Sequence, residues 1–343
     1  MADFNGDTRR PVASEIASAA AFRSLGACLC VGPQHHRGRV AMKPAPFKYV
    51  VARSTAEALD LKALHGEEAA FLAGGQSLIP TMNFRLACPA VLIDINPLVA
   101  LDGVRAQARG TVRIGALTRH RTLERDPIIA RHQPLLHQAL PHIAHLQIRN
   151  RGTLGGNLAH ADPASELPAV ILALDAKLRA QSSSGERWIE AGAFFKAALT
   201  SELRADEMLV EIEVPALPQR CGTCFVEVAR RRGDFALMGV AAVVVISEAG
   251  ICTQARLAYC GAGDTPVRVE AANALVGGTI TADQIRGAAA LASRELDPSG
   301  NVHAGKDYQR HLAGVLTRRA LVSALERCRA PFERTIEEKY RGD

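Results

Sequence analysis

Aromatic residues and long apolar runs are both scarce in this chain. Phe, Trp and Tyr make up only 4% of its 343 residues, which argues against a base-stacking surface for single-stranded nucleic acid. No apolar run reaches the roughly 18 residues that a membrane-spanning helix requires. The composition, 48% hydrophobic and 22% charged, is that of an ordinary soluble globular protein with room for two or three domains.

Cysteine is also too sparse, at eight residues, for a disulfide framework. Two short spacings occur, Cys28-x-Cys30 and Cys221-x-x-Cys224. A structural zinc site would need two such pairs at compatible spacing, and a thioredoxin-type dithiol would need a strand-to-helix turn. Because Cys224 runs into the alternating stretch FVEVAR, we expect a strand and reduced, cytoplasmic thiols. A dithiol or metal role for Cys221 and Cys224 is the alternative.

Charge of one sign is not concentrated anywhere in the chain. The formal net charge is +6, and the basic residues are dispersed apart from short clusters at 230–232 and 318–319. A solvated basic face is the expected role of such clusters, rather than a duplex-binding stripe.

The first 41 residues differ from the rest of the chain. Arg9 and Arg10 precede a mildly apolar stretch, as in a twin-arginine export signal. However, Glu15 and Arg23 interrupt that stretch, and no good small-residue cleavage site follows it. We therefore interpret residues 1–41 as a leader that is disordered or not part of the natural protein. Met42 stands immediately before sequence that looks folded.

Local patterns after Met42 predict alternating strands and helices. STAEALDLKALHG reads as a helix with Ser54 as N-cap, Glu57 completing a capping box and Gly66 as the stop. AAFLAGG and AVLIDI are strand-length apolar runs on either side of the next loop, so the first unit is βαβ-like. The alternating segments TVRIGALT, AKLRAQ and EMLVEIEV follow, with apolar residues at helical spacing over 127–147 between them.

A Pro- and Gly-rich stretch, 214–222, marks a domain boundary. Beyond it, GVAAVVVI and ARLAYCG flank a hairpin turn, and Thr281 with Gln284 forms a second capping box. The tail from Lys306 carries a core-facing apolar stripe. The predicted divisions are a first unit at 42–218, with subdomains at about 42–100 and 101–218, a C-terminal α+β domain at 219–330, and a tail at 331–343.

Two Gly-Gly loops are the main candidate binding features. The first is AGGQS, residues 73–77, and the second is TLGGN, residues 153–157. A Gly pair lets the backbone adopt positive φ, approach a ligand closely and point successive N–H groups at an anion. Neither loop is a Walker A motif or a Rossmann fingerprint. Each pair alone is typical of an ordinary turn, whereas both together suggest two loops on one pyrophosphate.

Acidic residues follow the second loop. Asp162 and Glu166 are placed to accept hydrogen bonds from ribose hydroxyls, or else to supply negative charge at the start of the helix that begins ASELPAVILAL. His160 lies close to the same loop and is the one histidine worth testing. A packing or surface role is the alternative for it, as for the other histidines in this region.

Five segments in this order resemble one family. LAGGQSLIPTMNFRL, VLIDI, IGALT, QIRNRGTLGGNLAHADPASELPA and EVARRRGDFAL are similar to the FAD-binding medium subunit of molybdenum hydroxylases, the carbon monoxide and xanthine dehydrogenase family. The resemblance covers residues 42–328. It implies an α+β fold, with a two-subdomain FAD-binding domain of the vanillyl-alcohol-oxidase (PCMH) type and a smaller α+β C-terminal domain.

The resemblance also implies a set of FAD-binding residues and no catalytic or metal-binding residue on this chain. Glu166 stands where relatives carry an acidic ribose ligand, often Asp. Phe235 stands where some relatives carry a Tyr beside the isoalloxazine ring, so it keeps the stacking surface and loses the hydroxyl. The implied FAD ligands are Ala73, Gly74, Gly75, Gln76, Ser77, Thr153, Leu154, Gly155, Gly156, Asn157, Glu166 and Phe235.

The implied function is that of a cytoplasmic electron-transfer subunit in a heterotrimeric hydroxylase. A large subunit would carry the molybdenum cofactor and a small one the [2Fe–2S] clusters, assembled as a dimer of heterotrimers, without nucleic acid or membrane span. Electrons would pass from those clusters through FAD to an external acceptor. The alternatives are a stand-alone flavin-dependent oxidase or dehydrogenase, and a non-enzymatic sensor or assembly protein that kept the fold.

Overall fold

The computed structural model describes residues 42–329. The predicted leader at 1–41 and tail at 331–343 lie outside these residues. No helix of the described part is both long enough and apolar enough to cross a membrane.

The first part of the chain forms a small parallel sheet with helices beside it. Ser54 caps the first helix by accepting from the Glu57 N–H, while the Glu57 carboxylate accepts from the Arg53 N–H at 2.8 Å. The capping prediction is therefore confirmed, with the return bond one residue further out than expected. The strand order is β1-β3-β2, all parallel. The elements are β1 Lys48–Val51, α1 Thr55–His65, β2 Ala69–Leu72, α2 Leu78–Asn83 and β3 Val91–Asp94.

The middle part is a five-stranded antiparallel sheet, ordered β4-β5-β10-β6-β7, with short helices packed on it. The predicted strands in TVRIGALT, AKLRAQ and EMLVEIEV are confirmed. The elements are β4 Val104–Ala106, β5 Val112–Gly115, α3 His120–Arg125, α4 Pro127–His132, α5 Pro134–Ala139, α6 Leu146–Arg149, α7 Leu154–His160, α8 Glu166–Ala173, β6 Lys177–Ser182, β7 Gly185–Glu190, α9 Ala191–Phe194, β8 Phe195–Ala197, β9 Thr200–Ser201 and β10 Met208–Val214.

The helical stretch at 127–147 is broken into short pieces instead of forming one long helix. Pro127 and Pro134 each open a new helix, and Pro141 lies in a 3-10 turn at Leu140–His142. Proline lacks the N–H that a continuous helix needs and suits the first helical turn. The apolar spacing correctly predicted helical structure, and the prolines determine where each helix ends and the next begins. Further 3-10 turns are Gly66–Glu68, Val99–Leu101, Ala108–Gly110 and Glu270–Leu275.

The C-terminal part is a four-stranded antiparallel sheet, ordered β11-β12-β13-β14, covered by two helices. The predicted hairpin and the capping box of Thr281 and Gln284 are confirmed. Helix α11 packs its buried face on the sheet, and at Gly222 the backbones approach so closely that a Cβ would lie 1.8 Å from the Ala324 carbonyl oxygen. The elements are β11 Cys221–Ala229, β12 Ala236–Ile246, β13 Cys252–Cys260, β14 Val267–Val269, α10 Ala282–Glu295 and α11 Lys306–Arg329.

Helix α8 joins the middle and C-terminal parts. Every residue from Glu166 to Ala173 is buried, and the helix contacts both α5 and the strands β12 and β13. An entirely buried helix needs apolar residues all round, which LPAVILA provides. Glu166 is the single charged residue in it, at its first position, and the preceding Ser165 exchanges hydrogen bonds with Asn157 of the second glycine loop.

Candidate functional site

The first glycine loop connects β2 to α2 and presents free backbone donors. None of the N–H groups from Gly74 to Leu78 donates to an acceptor within residues 42–329. Gly75 has φ +71°, the left-handed conformation that glycine adopts without strain. Gln76 and Ser77 are exposed, and the Gln76 amide donates back to the Gly74 carbonyl at 3.0 Å. Such a row of unpaired N–H groups suits an anion.

The N–H groups from Leu154 to Asn157 in the second loop are, by contrast, already paired within the protein. Thr153 is the N-cap of α7 and accepts from the Gly156 N–H at 3.1 Å. The Leu154 and Gly155 N–H groups donate to the Thr118 and Ala116 carbonyls, at 3.0 and 2.8 Å. These bonds dock α7 against the end of β5. We expected both loops to offer a row of N–H groups to a ligand, but within residues 42–329 only the first has such a row unpaired.

The glycines of the two loops allow protein segments to approach each other. A Cβ on Gly74 would lie 2.5 Å from the Arg151 carbonyl oxygen and 2.8 Å from the Gly152 Cα. A Cβ on Gly155 would lie 2.5 Å from the Ala116 Cβ. Gly74 therefore lets the first loop touch the segment that leads into the second, and Gly155 lets α7 touch the residue that follows β5.

One cavity of about 530 Å³ brings nearly all the predicted residues together. Its volume lies within the roughly 300–1,000 Å³ of typical cofactor and ligand pockets. The exception is Leu154, which is fully buried in the core and does not line the cavity. Its side chain points into the packing between α7 and the sheet, so only its place in the loop suggested a ligand contact. The predicted residues that line the cavity are Ala73, Gly74, Gly75, Gln76, Ser77, Thr153, Gly155, Gly156, Asn157, Glu166 and Phe235.

Glu166 places a buried carboxyl group in the wall of this cavity. The residue is 5% exposed. Burial raises the pKa of its carboxyl group to about 8, and the neighbouring Glu227 side chain adds to the shift. The Glu227 carboxylate is itself buried and lies 3.2 Å from His142 Nδ1. Near neutral pH, Glu166 is therefore mostly protonated, and its O–H can donate a hydrogen bond as well as accept one.

Phe235 lies at the rim of the cavity, in the connection between β11 and β12. It is 62% exposed, so it is not a strand core residue. Asp234 holds this connection by accepting from Arg230 Nε at 3.1 Å and from the Phe235 N–H at 3.0 Å. Gly233, at φ +79°, packs against the Ala144 carbonyl. The C-terminal part of the chain thus supplies one wall of the cavity.

His160 also lines the cavity, whereas Asp162 does not. Burial lowers the pKa of His160, and Asp162 opposes that shift. Asp162 itself accepts from the Ala164 N–H at 2.9 Å, so it shapes the turn before α8. Of the two acidic residues only Glu166 lines the cavity, and its contact with ribose stays a prediction.

Several lining residues carry no motif that the sequence could have revealed. His120 and Glu207 are both buried, and Glu207 forms an ion pair with Arg187 at 2.7 Å. The ring nitrogens of His120 have no hydrogen-bond partner within residues 42–329. Burial lowers the pKa of His120 to about 4, although the Thr153 backbone favours its charged form. A polar residue just past a strand end, as in GALTRH, was the only available signal for His120.

Cys221 and Cys224 are free thiols on strand β11, as the alternation around them predicted. Burial raises the pKa of Cys221 to about 12 and also raises that of Cys224. Both thiols are therefore protonated and weakly reactive at neutral pH. Among residues 42–329, no group of three or more His, Cys, Asp or Glu side chains is arranged to hold a metal ion.

A parallel βαβ layer, an antiparallel sheet, and a cavity rimmed by two glycine loops together define a FAD-binding domain of the PCMH type. Residues 45–217 match the family described as the FAD binding domain in molybdopterin dehydrogenase. Residues 223–324 match the CO dehydrogenase flavoprotein C-terminal domain. The chain belongs to the family of FAD-binding medium subunits of molybdenum hydroxylases, which confirms the resemblance seen in the sequence.

Individual relatives agree along nearly their whole length. The chain is 44% identical over 293 residues to the 6-hydroxypseudooxynicotine dehydrogenase complex subunit alpha of Paenarthrobacter nicotinovorans, covering 85% of this chain and 99% of the relative. It is 41% identical over 288 residues to the caffeine dehydrogenase subunit beta of Pseudomonas sp. strain CBB1, covering 83% and 97%.

A solved structure gives the same assignment. A chain of carbon monoxide dehydrogenase from Hydrogenophaga pseudoflava, in a form lacking the Mo-pyranopterin moiety, superposes with a TM-score of 0.80 at 37% identity. The match covers 83% of this chain and 99% of that one. The chain is therefore an FAD-binding oxidoreductase subunit.

Proposed function

We propose that this chain is the electron-transfer subunit of a heterotrimeric molybdenum and iron–sulfur hydroxylase. It would receive electrons from [2Fe–2S] clusters in a small partner subunit and release them to an external acceptor. Hydroxylation itself would occur at a molybdenum cofactor in a large partner subunit. The assembly we propose is a cytoplasmic dimer of heterotrimers.

The observation that carries the cofactor assignment is the convergence of both glycine loops on one cavity. The first loop contributes unpaired N–H groups, which suit a pyrophosphate. Asn157, Ser165 and Glu166 add polar groups that suit ribose or ribityl hydroxyls. Ile143, Ile148 and Leu203 give the cavity apolar walls that suit a flavin ring and exclude water. The residues present therefore fit FAD.

Each proposed ligand then has a distinct task. Gly74, Gly75, Gln76 and Ser77 would donate backbone N–H groups to the pyrophosphate, next to Ala73. Thr153, Gly155, Gly156 and Asn157 would form the opposite wall, with Leu154 anchoring that wall from the core. Glu166 would hold a sugar hydroxyl.

Phe235 would cover the flavin end from the C-terminal part of the chain. Bound FAD supplies reversible two-electron redox chemistry, and the chain's contribution is to position it and set its surroundings. No side chain of this chain is assigned an acid or base role.

The domain divisions follow the same proposal. We place the FAD-binding domain at 42–218, with subdomains at about 42–100 and 101–218, and the C-terminal domain at 219–330. The strand β10 ends at Val214 and β11 begins at Cys221, which supports a boundary between the sheets they belong to.

Three measurements test this function. The purified chain, stripped of cofactor, should take up FAD stoichiometrically and become yellow, and on its own it should not hydroxylate substrates of the related dehydrogenases. When the chain is isolated from its native source, a large and a small subunit should co-elute with it. Failure to take up FAD would contradict the cofactor assignment. Substrate turnover by the isolated chain would instead favour a stand-alone flavin oxidase.

A further inference from the structure

The contact between the two glycine loops is bridged by two side chains from other elements. Asn96 lies two residues after β3, and Arg119 immediately precedes α3. Neither residue lines the cavity. Both are half-buried at the place where Gly74 meets Arg151 and Gly152.

Asn96 is tied to the first loop through its amide. Its Nδ2 donates to the Ala73 carbonyl at 2.8 Å and to the Leu72 carbonyl at 3.2 Å. The same nitrogen lies 2.6 Å from the Asp94 carboxylate. Since all these neighbours are acceptors, the amide orientation is fixed, and Oδ1 faces a donor on the other side.

That donor is Arg119, which is tied to the second loop. Its Nη2 donates to Asn96 Oδ1 at 2.5 Å, and its Nη1 donates to the Arg151 carbonyl. The Arg119 backbone also pairs with Thr153 in an isolated antiparallel bridge. The Arg119 guanidinium therefore connects the Asn96 amide, which holds Ala73, with the Arg151 carbonyl, which Gly74 approaches.

We infer that Asn96 and Arg119 act as a clamp that sets the separation of the two glycine loops, and that both are positioning residues for the cofactor. The inference rests on the proposed cofactor site. The clamp acts through Ala73 and Arg151, and so fixes the free N–H row of the first loop relative to Thr153. Binding is weakened when such preorganisation is lost, because the ligand must then order the loops itself.

The chemistry of the clamp makes it sensitive to conservative changes. A lysine at position 119 keeps the positive charge but has no planar fork to reach both acceptors. An aspartate at position 96 keeps the acceptor for Arg119 but loses the amide donors and turns an oxygen towards two carbonyls and Asp94. Arg119→Lys therefore changes the shape of the side chain at constant charge, and Asn96→Asp changes its charge at nearly constant shape.

The test compares FAD binding by the full chain carrying Asn96→Asp, Arg119→Lys, Asn96→Ala, Arg119→Ala or both alanines. Kd is measured by titrating cofactor-free protein with FAD and following flavin fluorescence, with ADP as a competitor to report on the pyrophosphate end. Arg121→Lys is the matched control, since Arg121 lies on α3 and pairs with Glu124 at 2.9 Å outside the clamp. Thermal unfolding of each cofactor-free variant separates loss of affinity from loss of fold.

We expect Arg119→Lys and Asn96→Asp to weaken FAD and ADP alike by about tenfold or more, equivalent to about 1.4 kcal/mol. The double alanine variant should be little weaker than either single one, because both changes open the same clamp. If Asn96→Asp does not fold, Arg119→Lys and the alanine cycle carry the test. Wild-type affinity in Arg119→Lys, or additive effects in the alanine cycle, would overturn the clamp. If the wild-type chain itself does not bind FAD, the proposed function fails instead.

Discussion

Glu166 makes the stability of the cofactor-free protein depend on pH in a direction opposite to that of most carboxylates. The ordinary pKa of its carboxyl group is 4.5, and in the folded chain burial, aided by the Glu227 side chain, raises it to about 8. Between these values the folded chain keeps a proton that the unfolded chain has released. The stability that this proton provides is complete below about pH 4.5 and is lost as the pH rises towards 8.

The size of the effect follows from the shift. Each pH unit in this window removes up to about 1.4 kcal/mol of unfolding free energy, so the whole window accounts for about 3–5 kcal/mol. The Glu166→Gln substitution keeps the shape and hydrogen-bonding capacity of the side chain, and it cannot ionise. Cofactor-free Glu166→Gln should therefore match the wild type near pH 5 and exceed its unfolding free energy by about 3–5 kcal/mol at pH 8.

Urea unfolding of both proteins, followed from pH 5 to 9, measures the difference directly. Groups that do not interact with Glu166 contribute equally to both curves, so the difference between them reports Glu166 together with its coupling to Glu227. Glu186→Gln, which removes a carboxylate from the exposed strand β7, controls for a general loss of negative charge. Parallel pH curves for wild type and Glu166→Gln would refute the raised pKa, and with it the view that a neutral carboxyl faces the ligand.

Five further substitutions probe the packing of the chain and the rim of the site. Gly74→Ala should push the two loops apart and weaken FAD binding about tenfold or more in a fluorescence titration, because its Cβ would lie 2.5 Å from the Arg151 carbonyl; unchanged affinity would contradict this contact. Gly222→Ala should lower the unfolding free energy by about 1–3 kcal/mol because it forces α11 away from β11. Gly287→Ala places a Cβ with no atom within 4 Å, so it should raise the unfolding free energy by about 0.5–1 kcal/mol. Chemical denaturation measures both values. Phe235→Ala should change the unfolding free energy by no more than about 0.5 kcal/mol because the ring is exposed, yet it should change the fluorescence of bound flavin. Phe235→Tyr should preserve both the stability and the flavin fluorescence. An unaltered flavin signal in the alanine variant would show that Phe235 is not part of the site.

The sequence predicted those features of the fold that local physics determines. The caps at Ser54 and Thr281 satisfy nearby N–H groups, so a window of a few residues contains all the necessary information. Strand alternation likewise revealed β5, β6, β10 and β11. The order of strands in each sheet was not predictable, because pairing such as β10 between β5 and β6 joins residues far apart in the chain. The same holds for His120 and Glu207, which reach the cavity through tertiary packing alone.

The glycine loops are fixed in position by protein packing as well as by any contact with a ligand: the structure gives Gly74 and Gly155 a role that the sequence did not predict. From the sequence, Gly74 and Gly155 suggested close approach of a ligand, and both do lie in the cavity wall. In the structure, the atoms that a Cβ would displace belong to Arg151, Gly152 and Ala116, so the glycines are required by protein packing. That packing has a consequence for binding. In the second loop the Leu154 and Gly155 N–H groups dock α7, while the first loop is held by contacts at Gly74 and Ala73 that leave its N–H groups from Gly74 to Leu78 unpaired within residues 42–329. The first loop therefore keeps the N–H donors that suit an anion because it is held against the segment around the second loop, which supports it.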